Sequence, residues 1–169
     1  MKISISSNHI NFGTDFRVRF GENPLTLDKG VMQIGSPLPE VSCLVTPDLA
    51  QAELPSDVRK VFLTVPSLDT PVCESQIKTL SEALNSGAEA DAIYYVVSVD
   101  TPFAQARFIR EHGINPAIHF LSDYAEHRFM RDTGLRIIEL NIFARAVITC
   151  DESNHVLSIS VLEDITQLP

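Results

Sequence analysis

Apolar and polar positions follow two rhythms along this chain, and the changes of rhythm mark its elements. Phe16-Arg17-Val18-Arg19-Phe20 alternates apolar with charged residues, as a half-buried strand does. Gly21-Glu22-Asn23-Pro24 supplies turn chemistry and Leu25-Thr26-Leu27 resumes the alternation, so a β-hairpin is expected over about 16–27. After the break at Gly35-Ser36-Pro37, Ser42-Cys43-Leu44-Val45 reads as a further strand. Lys60-Val61-Phe62-Leu63-Thr64-Val65 is a near-continuous apolar run, suited to a strand covered on both faces. It stops at Pro66. Ser67 to Pro71 forms a polar turn, and Ile77, Leu80 and Leu84 then fall on one helical stripe. The spacing predicts a helix from Pro71 or Val72, where proline is tolerated at the first position, ending at Asn85-Ser86-Gly87.

The second half repeats the pattern. Ala92 to Val99 is another buried strand, and Asp100-Thr101-Pro102 starts a helix that runs to about His112-Gly113. Ile118 to Leu121 is a short strand, and Asp123 to Thr133 a helix closed by Gly134. Arg145 to Cys150 and His155 to Val161 are strands joined by the turn Asp151-Glu152-Ser153-Asn154. Strand, helix, strand, helix and a closing hairpin is the order of a thioredoxin-like α/β sheet. With no repeat or linker, a single domain over residues 1–169 is expected.

Composition narrows the function. The net charge of -9 leaves no basic stripe for a phosphate backbone, so nucleic acid is excluded as a partner. No basic run suggests a membrane surface, no apolar stretch reaches spanning length, and the opening Met1-Lys2-Ile3-Ser4-Ile5 leads only to polar residues. A cytoplasmic protein acting on small molecules or other proteins is expected. The 3 cysteines, Cys43, Cys73 and Cys150, are too few for a disulfide scaffold and include no C-x-x-C pair. No histidine stands at ligand spacing beside them, so neither a metal nor a cofactor is expected. His112, His119 and His127 read as structural, as do Cys43 and Cys150 in their expected strands.

Cys73 is different. It falls on the first turn of a helix that follows a buried strand, where unpaired N–H groups and the helix dipole favour a thiolate. Thr70, three positions earlier, can place its hydroxyl near both the sulfur and a bound oxygen. Pro66 ends the strand and can shield the pocket without adding a competing donor. A thiolate that attacks a peroxide also needs donors to align the two oxygens and steady the one that leaves. Arg145, entering a strand near that helix, offers a fixed fork of such donors.

Pro66-Ser67-Leu68-Asp69-Thr70-Pro71-Val72-Cys73 resembles the P-x-x-x-T-x-x-C signature of peroxiredoxins, in the form seen in bacterial thiol peroxidases. Three further stretches are similar to that family in order and spacing: Phe20 to Leu27, Ser98 to Phe108, and Ala144 to Val147. The resemblance implies a peroxiredoxin-type thioredoxin fold. It implies that Cys73 attacks hydrogen peroxide or an alkyl hydroperoxide and becomes a sulfenic acid. Thr70 and Arg145 would orient the peroxide, and Pro66 would pack over the site. It further implies a homodimer and a thiol reductant, either thioredoxin or a low-molecular-weight thiol.

Two departures stand out. The family's resolving cysteine would follow Phe108, where this chain has Ile109, so an external thiol is expected to resolve the sulfenic acid. Where relatives continue into a final helix, this sequence reads Leu168-Pro169, and part of the usual packing or dimer surface is expected to be either missing or rebuilt by the longer N-terminal segment. Phe103 and Phe108 are expected as core and pocket wall. Two rival readings remain. A disulfide oxidoreductase would need a second cysteine where Gln76 stands. A peroxide sensor or binding protein would keep the pocket with little turnover.

Overall fold

The apolar run at 60–65 becomes the central strand of the molecule. In the computed structural model, which describes residues 17–88 and 91–168, the chain begins with the paired strands β1 (Arg17–Phe20) and β2 (Asn23–Thr26). It continues through β3 (Arg59–Thr64), α1 (Pro71–Asn85), β4 (Ala92–Ser98), α2 (Pro102–His112) and β5 (Ile118–Ser122). It ends with α3 (Arg128–Thr133), β6 (Arg136–Ile137), β7 (Ile142–Phe143), β8 (Ala146–Cys150) and β9 (Val156–Val161). Five strands form the main sheet in the order β5-β4-β3-β8-β9. β3, β4 and β5 are parallel, β8 runs antiparallel to β3, and β9 reverses again beside β8.

The period-2 pleat divides the apolar runs between two faces. Leu63, Tyr94, Val96 and Phe120 point to one side and pack with Ile77 and Leu80 of α1 and Phe108 of α2. Phe62, Tyr95, Val97 and Leu121 point to the other, against Phe129 and Met130 of α3 and Phe143 of β7. Both crossovers from β3 to β4 to β5 step the same way across the sheet, and right-handed connections then put α1 and α2 on one face. Each of these helices starts at a threonine cap followed by proline. Thr70 accepts from the Cys73 N–H and Thr101 from the Ala104 N–H, and α2 closes at Gly113 with a φ of 57°.

The expected thioredoxin-like α/β fold with its N-terminal hairpin is present, with local differences. The hairpin turn is Gly21-Glu22 alone, because Asn23 pairs with Phe20 and Pro24 with Arg19. Pro24 is tolerated because this two-stranded ladder leaves an edge on which an N–H is not required. Ser42–Val45 is not a strand. The Leu44 N–H turns back to Val41 O at 2.9 Å, and only Val45 bridges the sheet, exchanging hydrogen bonds with Ser122 at 3.0 and 2.8 Å. Prolines at 39 and 47 bound this segment and limit its pairing. The helix expected at 123–133 is half as long. Asp123 turns its carboxylate inward to accept the Met130 N–H at 2.9 Å, and His127 enters α3 with a φ of 51°. The β6–β7 pair was not expected, since two-residue strands carry no readable period. Phe16 and the N-terminal segment lie outside the described residues. Among the described residues no helix is long and apolar enough to cross a membrane.

Candidate active site

The β3 ladder continues one residue past Thr64, with the Val65 N–H bonded to Val97 O at 3.0 Å, and ends at Pro66, which has no N–H to donate. The chain then turns through Ser67–Pro71 and starts α1. This places Cys73 in the first helical turn, fully buried, at the edge of the apolar cluster formed with Leu63, Val65 and Leu68. Thr70 caps the helix. Its hydroxyl donates to Ser67 O at 3.1 Å and accepts from the Cys73 N–H at 3.3 Å.

Arg145 reaches the same place from the far side of the sheet centre. It precedes β8 rather than opening it. Its backbone is fixed by Thr64, whose buried hydroxyl donates to Ala144 O at 2.8 Å. Arg145 is 1% exposed, and its fork makes four hydrogen bonds. Nη2 donates to Cys73 Sγ at 3.2 Å, Nη1 to Gln76 Oε1 at 2.8 Å, and Nη2 and Nε to Ile165 O at 3.0 and 3.4 Å. A guanidinium is always charged, and a buried charge is costly unless paired. Among the described residues Arg145 forms no ion pair with a carboxylate, and Cys73 Sγ is the one contact able to carry negative charge. Chemically, negative charge on that sulfur would compensate the buried cation.

Next to the buried sulfur, and walled by its partners Thr70 and Arg145, lies a cavity of about 340 Å³ that Pro66, Val72, Phe20 and Leu140 also line. All four residues singled out in the sequence thus meet at one place. Gln76 and the Ile165 carbonyl were not singled out. Gln76 carries a signal in principle, a polar residue one helical turn after Cys73 on the buried face, whereas a backbone carbonyl carries none. Phe108 is core as expected, but Phe103 is 70% exposed and lines none of the cavity.

The other cysteines are set apart. Cys150 is buried in the cluster on the opposite face of the sheet, and Cys43 packs against that same cluster from its loop. Burial pushes the Cys150 thiol up to about 12, with Lys60 opposing, so it stays protonated at neutral pH. Burial and then the Asp123 carboxylate push Cys43 up as well. All three are free thiols. Ile109 packs with the cluster that contains Cys73 and brings no sulfur to it. His112 pairs with Glu74 at 3.6 Å, His119 lies against the Tyr95 ring, and His127 Nδ1 meets Asn141 Nδ2 at 3.0 Å. Among the described residues no group of three or more His, Cys, Asp and Glu is placed to hold a metal.

Fold and site together define a thioredoxin-like protein in which one cysteine, Cys73, stands at a helix start beside a buried guanidinium. Residues 33–169 match the Redoxin family. The chain is 36% identical over 155 residues to the thiol peroxidase of Clostridium acetobutylicum, covering 90% of this chain and 92% of that protein. A crystal structure of a peroxiredoxin-like protein from Aquifex aeolicus superposes with a TM-score of 0.82 at 34% identity, over 93% of this chain and 92% of that one. The thiol peroxidase from Chromobacterium violaceum superposes with a TM-score of 0.80 at 26% identity, over 92% and 91%. The chain belongs to the Redoxin family, among the thiol peroxidases.

Proposed function

We propose that this protein reduces hydrogen peroxide and alkyl hydroperoxides at Cys73, using an external thiol as reductant. The observation that carries the reading is the Arg145 guanidinium, buried without a carboxylate and set 3.2 Å from Cys73 Sγ. The thiolate attacks the terminal peroxide oxygen, the O–O bond breaks, and the product alkoxide or hydroxide takes up a proton. The sulfur is left as a sulfenic acid. Thr70 already donates its hydroxyl proton to Ser67 O and accepts from the Cys73 N–H, which leaves one oxygen lone pair for an incoming peroxide O–H. Arg145 steadies the thiolate before attack and the departing oxygen after it. Pro66 closes the wall without offering a proton.

No second cysteine faces Cys73, so a thiol from outside attacks the sulfenic acid, forming a mixed disulfide and releasing water. A second equivalent then restores the Cys73 thiol. Because Cys73 is fully buried, the first turn of α1 must open for that step. Thioredoxin or a low-molecular-weight thiol fits this role. The test is steady-state peroxide consumption with each reductant, for the wild type and Cys73→Ser. The reading predicts turnover in the wild type and none in the variant. Peroxide consumption that survives Cys73→Ser would sink it.

A further inference from the structure

The turn that carries Thr70 is held by a residue outside the Cys73 cavity. Asp100, two residues past the end of β4, spends both carboxylate oxygens on it: Oδ1 accepts from Ser67 Oγ at 3.0 Å and Oδ2 from the Leu68 N–H at 2.9 Å. Ser67 Oγ in turn accepts from the Asp69 N–H at 3.1 Å, and Ser67 O accepts the Thr70 hydroxyl at 3.1 Å. Thr70 Oγ1 accepts from the Cys73 N–H. Asp100 itself is steadied from β5, where the Ser122 hydroxyl donates to its backbone carbonyl. One carboxylate is thus joined to the reactive cysteine's turn by a run through Ser67, whose hydroxyl bonds the carboxylate and whose carbonyl bonds Thr70, and β5 fixes the Asp100 end.

The run sets two things that peroxide reduction needs. It fixes where the Thr70 oxygen stands, and it fixes where the Thr70 proton points. Without Asp100, Ser67 and Leu68 lose their common acceptor, the Ser67 carbonyl is free to rotate, and the Thr70 hydroxyl is no longer obliged to keep a lone pair for the substrate. The thiolate's own partners, Arg145 and through it Gln76 and Ile165, are not part of this run. We infer that Asp100, acting through Ser67, is a positioning residue that orients Thr70 toward the peroxide and leaves the nucleophilicity of Cys73 to Arg145. The inference rests on the peroxidase reading above.

The two contributions separate because only peroxide uses Thr70. Second-order rates of Cys73 with peroxide and with iodoacetamide, which has no O–O bond to align, are to be measured across pH in wild type, Asp100→Ala, Asp100→Asn and Ser67→Ala. Displacing an aligning group by about 1 Å costs on the order of a hundredfold in rate. Asp100→Ala is therefore expected to lose roughly ten- to a hundredfold with peroxide, with the iodoacetamide rate and its pH profile unchanged or faster through easier opening. Asp100→Asn keeps one acceptor and is expected to recover part of the loss. Ser67→Ala, the variant least able to disturb folding, should lose less than Asp100→Ala but in peroxide alone. A parallel fall with both reagents, or wild-type peroxide rates in folded Asp100→Ala and Ser67→Ala, overturns the inference. A wild type inert to peroxide overturns the inference and the peroxidase reading together, which sets that failure apart from the others.

Discussion

Arg145 illustrates how much one side chain decides here. Its charge cannot be removed by deprotonation, and its fork spans sulfur, amide and carbonyl at once. Lysine keeps the charge and loses the fork. Arg145→Lys is expected to reduce kcat/KM for peroxide by on the order of a hundredfold, the scale of one lost transition-state donor, as stopped-flow consumption would show. At the same scale, Cys43 and Cys150 are expected to be dispensable. Cys150 sits at about 12 behind the sheet, so peroxide finds no thiolate there at neutral pH. A Cys43→Ala/Cys150→Ala protein is expected to keep wild-type turnover with an external thiol, to within about a factor of two, while losing about 1 kcal/mol of stability from the buried site. The residues Pro66, Thr70, Cys73 and Arg145 were legible because each has a chemistry that the position constrains. Gln76 was overlooked because glutamine on a helix is usually a solvated residue, and its burial is visible only once Arg145 arrives from 69 residues away.

At the scale of elements, legibility followed length. α1, α2 and the parallel strands were readable from their period and their caps, and Thr70 and Thr101 sit where the sequence put the helix starts. The segments that escaped are those whose shape comes from tertiary hydrogen bonds, such as 42–45 and 123–127. The stretch after β9 is another. It folds back on β1, with the Ile165 N–H bonded to Arg19 O at 3.0 Å and Asp164 paired with Arg19 at 3.0 Å. That placement carries the Ile165 carbonyl to Arg145. The Asp164 carboxyl is held below the usual carboxylate range, first by the Thr166 hydroxyl and then by the Thr166 N–H, with Arg19 adding to both. A depressed folded value means the contribution is present above the unfolded value of about 3.9 and is lost as pH falls through the folded one. Acid unfolding followed by circular dichroism is expected to show wild type losing its advantage over Asp164→Asn below about pH 4, with the two stabilities converging there. A gap that stays constant down to the unfolding pH would contradict the assignment.

The molecule as a whole places a charged, polar pair, Cys73 and Arg145, behind an apolar mouth. The main sheet and α1 supply the reacting groups, and the two small hairpins supply the wall, with Phe20 from β1 and Ile142 from β7, and Leu140 from the turn before it. Phe20 was read only as a strand residue, since its role depends on a fold-back between segments far apart in sequence. Losing such an apolar contact costs a bulky substrate more than a small one, by 1–3 kcal/mol at typical pocket sites. Phe20→Ala is therefore expected to raise KM for a bulky alkyl hydroperoxide by about tenfold while leaving hydrogen peroxide nearly unaffected, in parallel steady-state assays.

The central claim is that one thiolate, Cys73, does the chemistry and that nothing within the chain resolves it. It is tested most directly by mixing the reduced protein with limiting peroxide, without reductant, and mapping the product by mass spectrometry. One added oxygen, confined to Cys73, is expected, in a reaction that vanishes in Cys73→Ser. An internal disulfide from Cys73 to Cys43 or Cys150, or oxygen added elsewhere at the same rate, would contradict it.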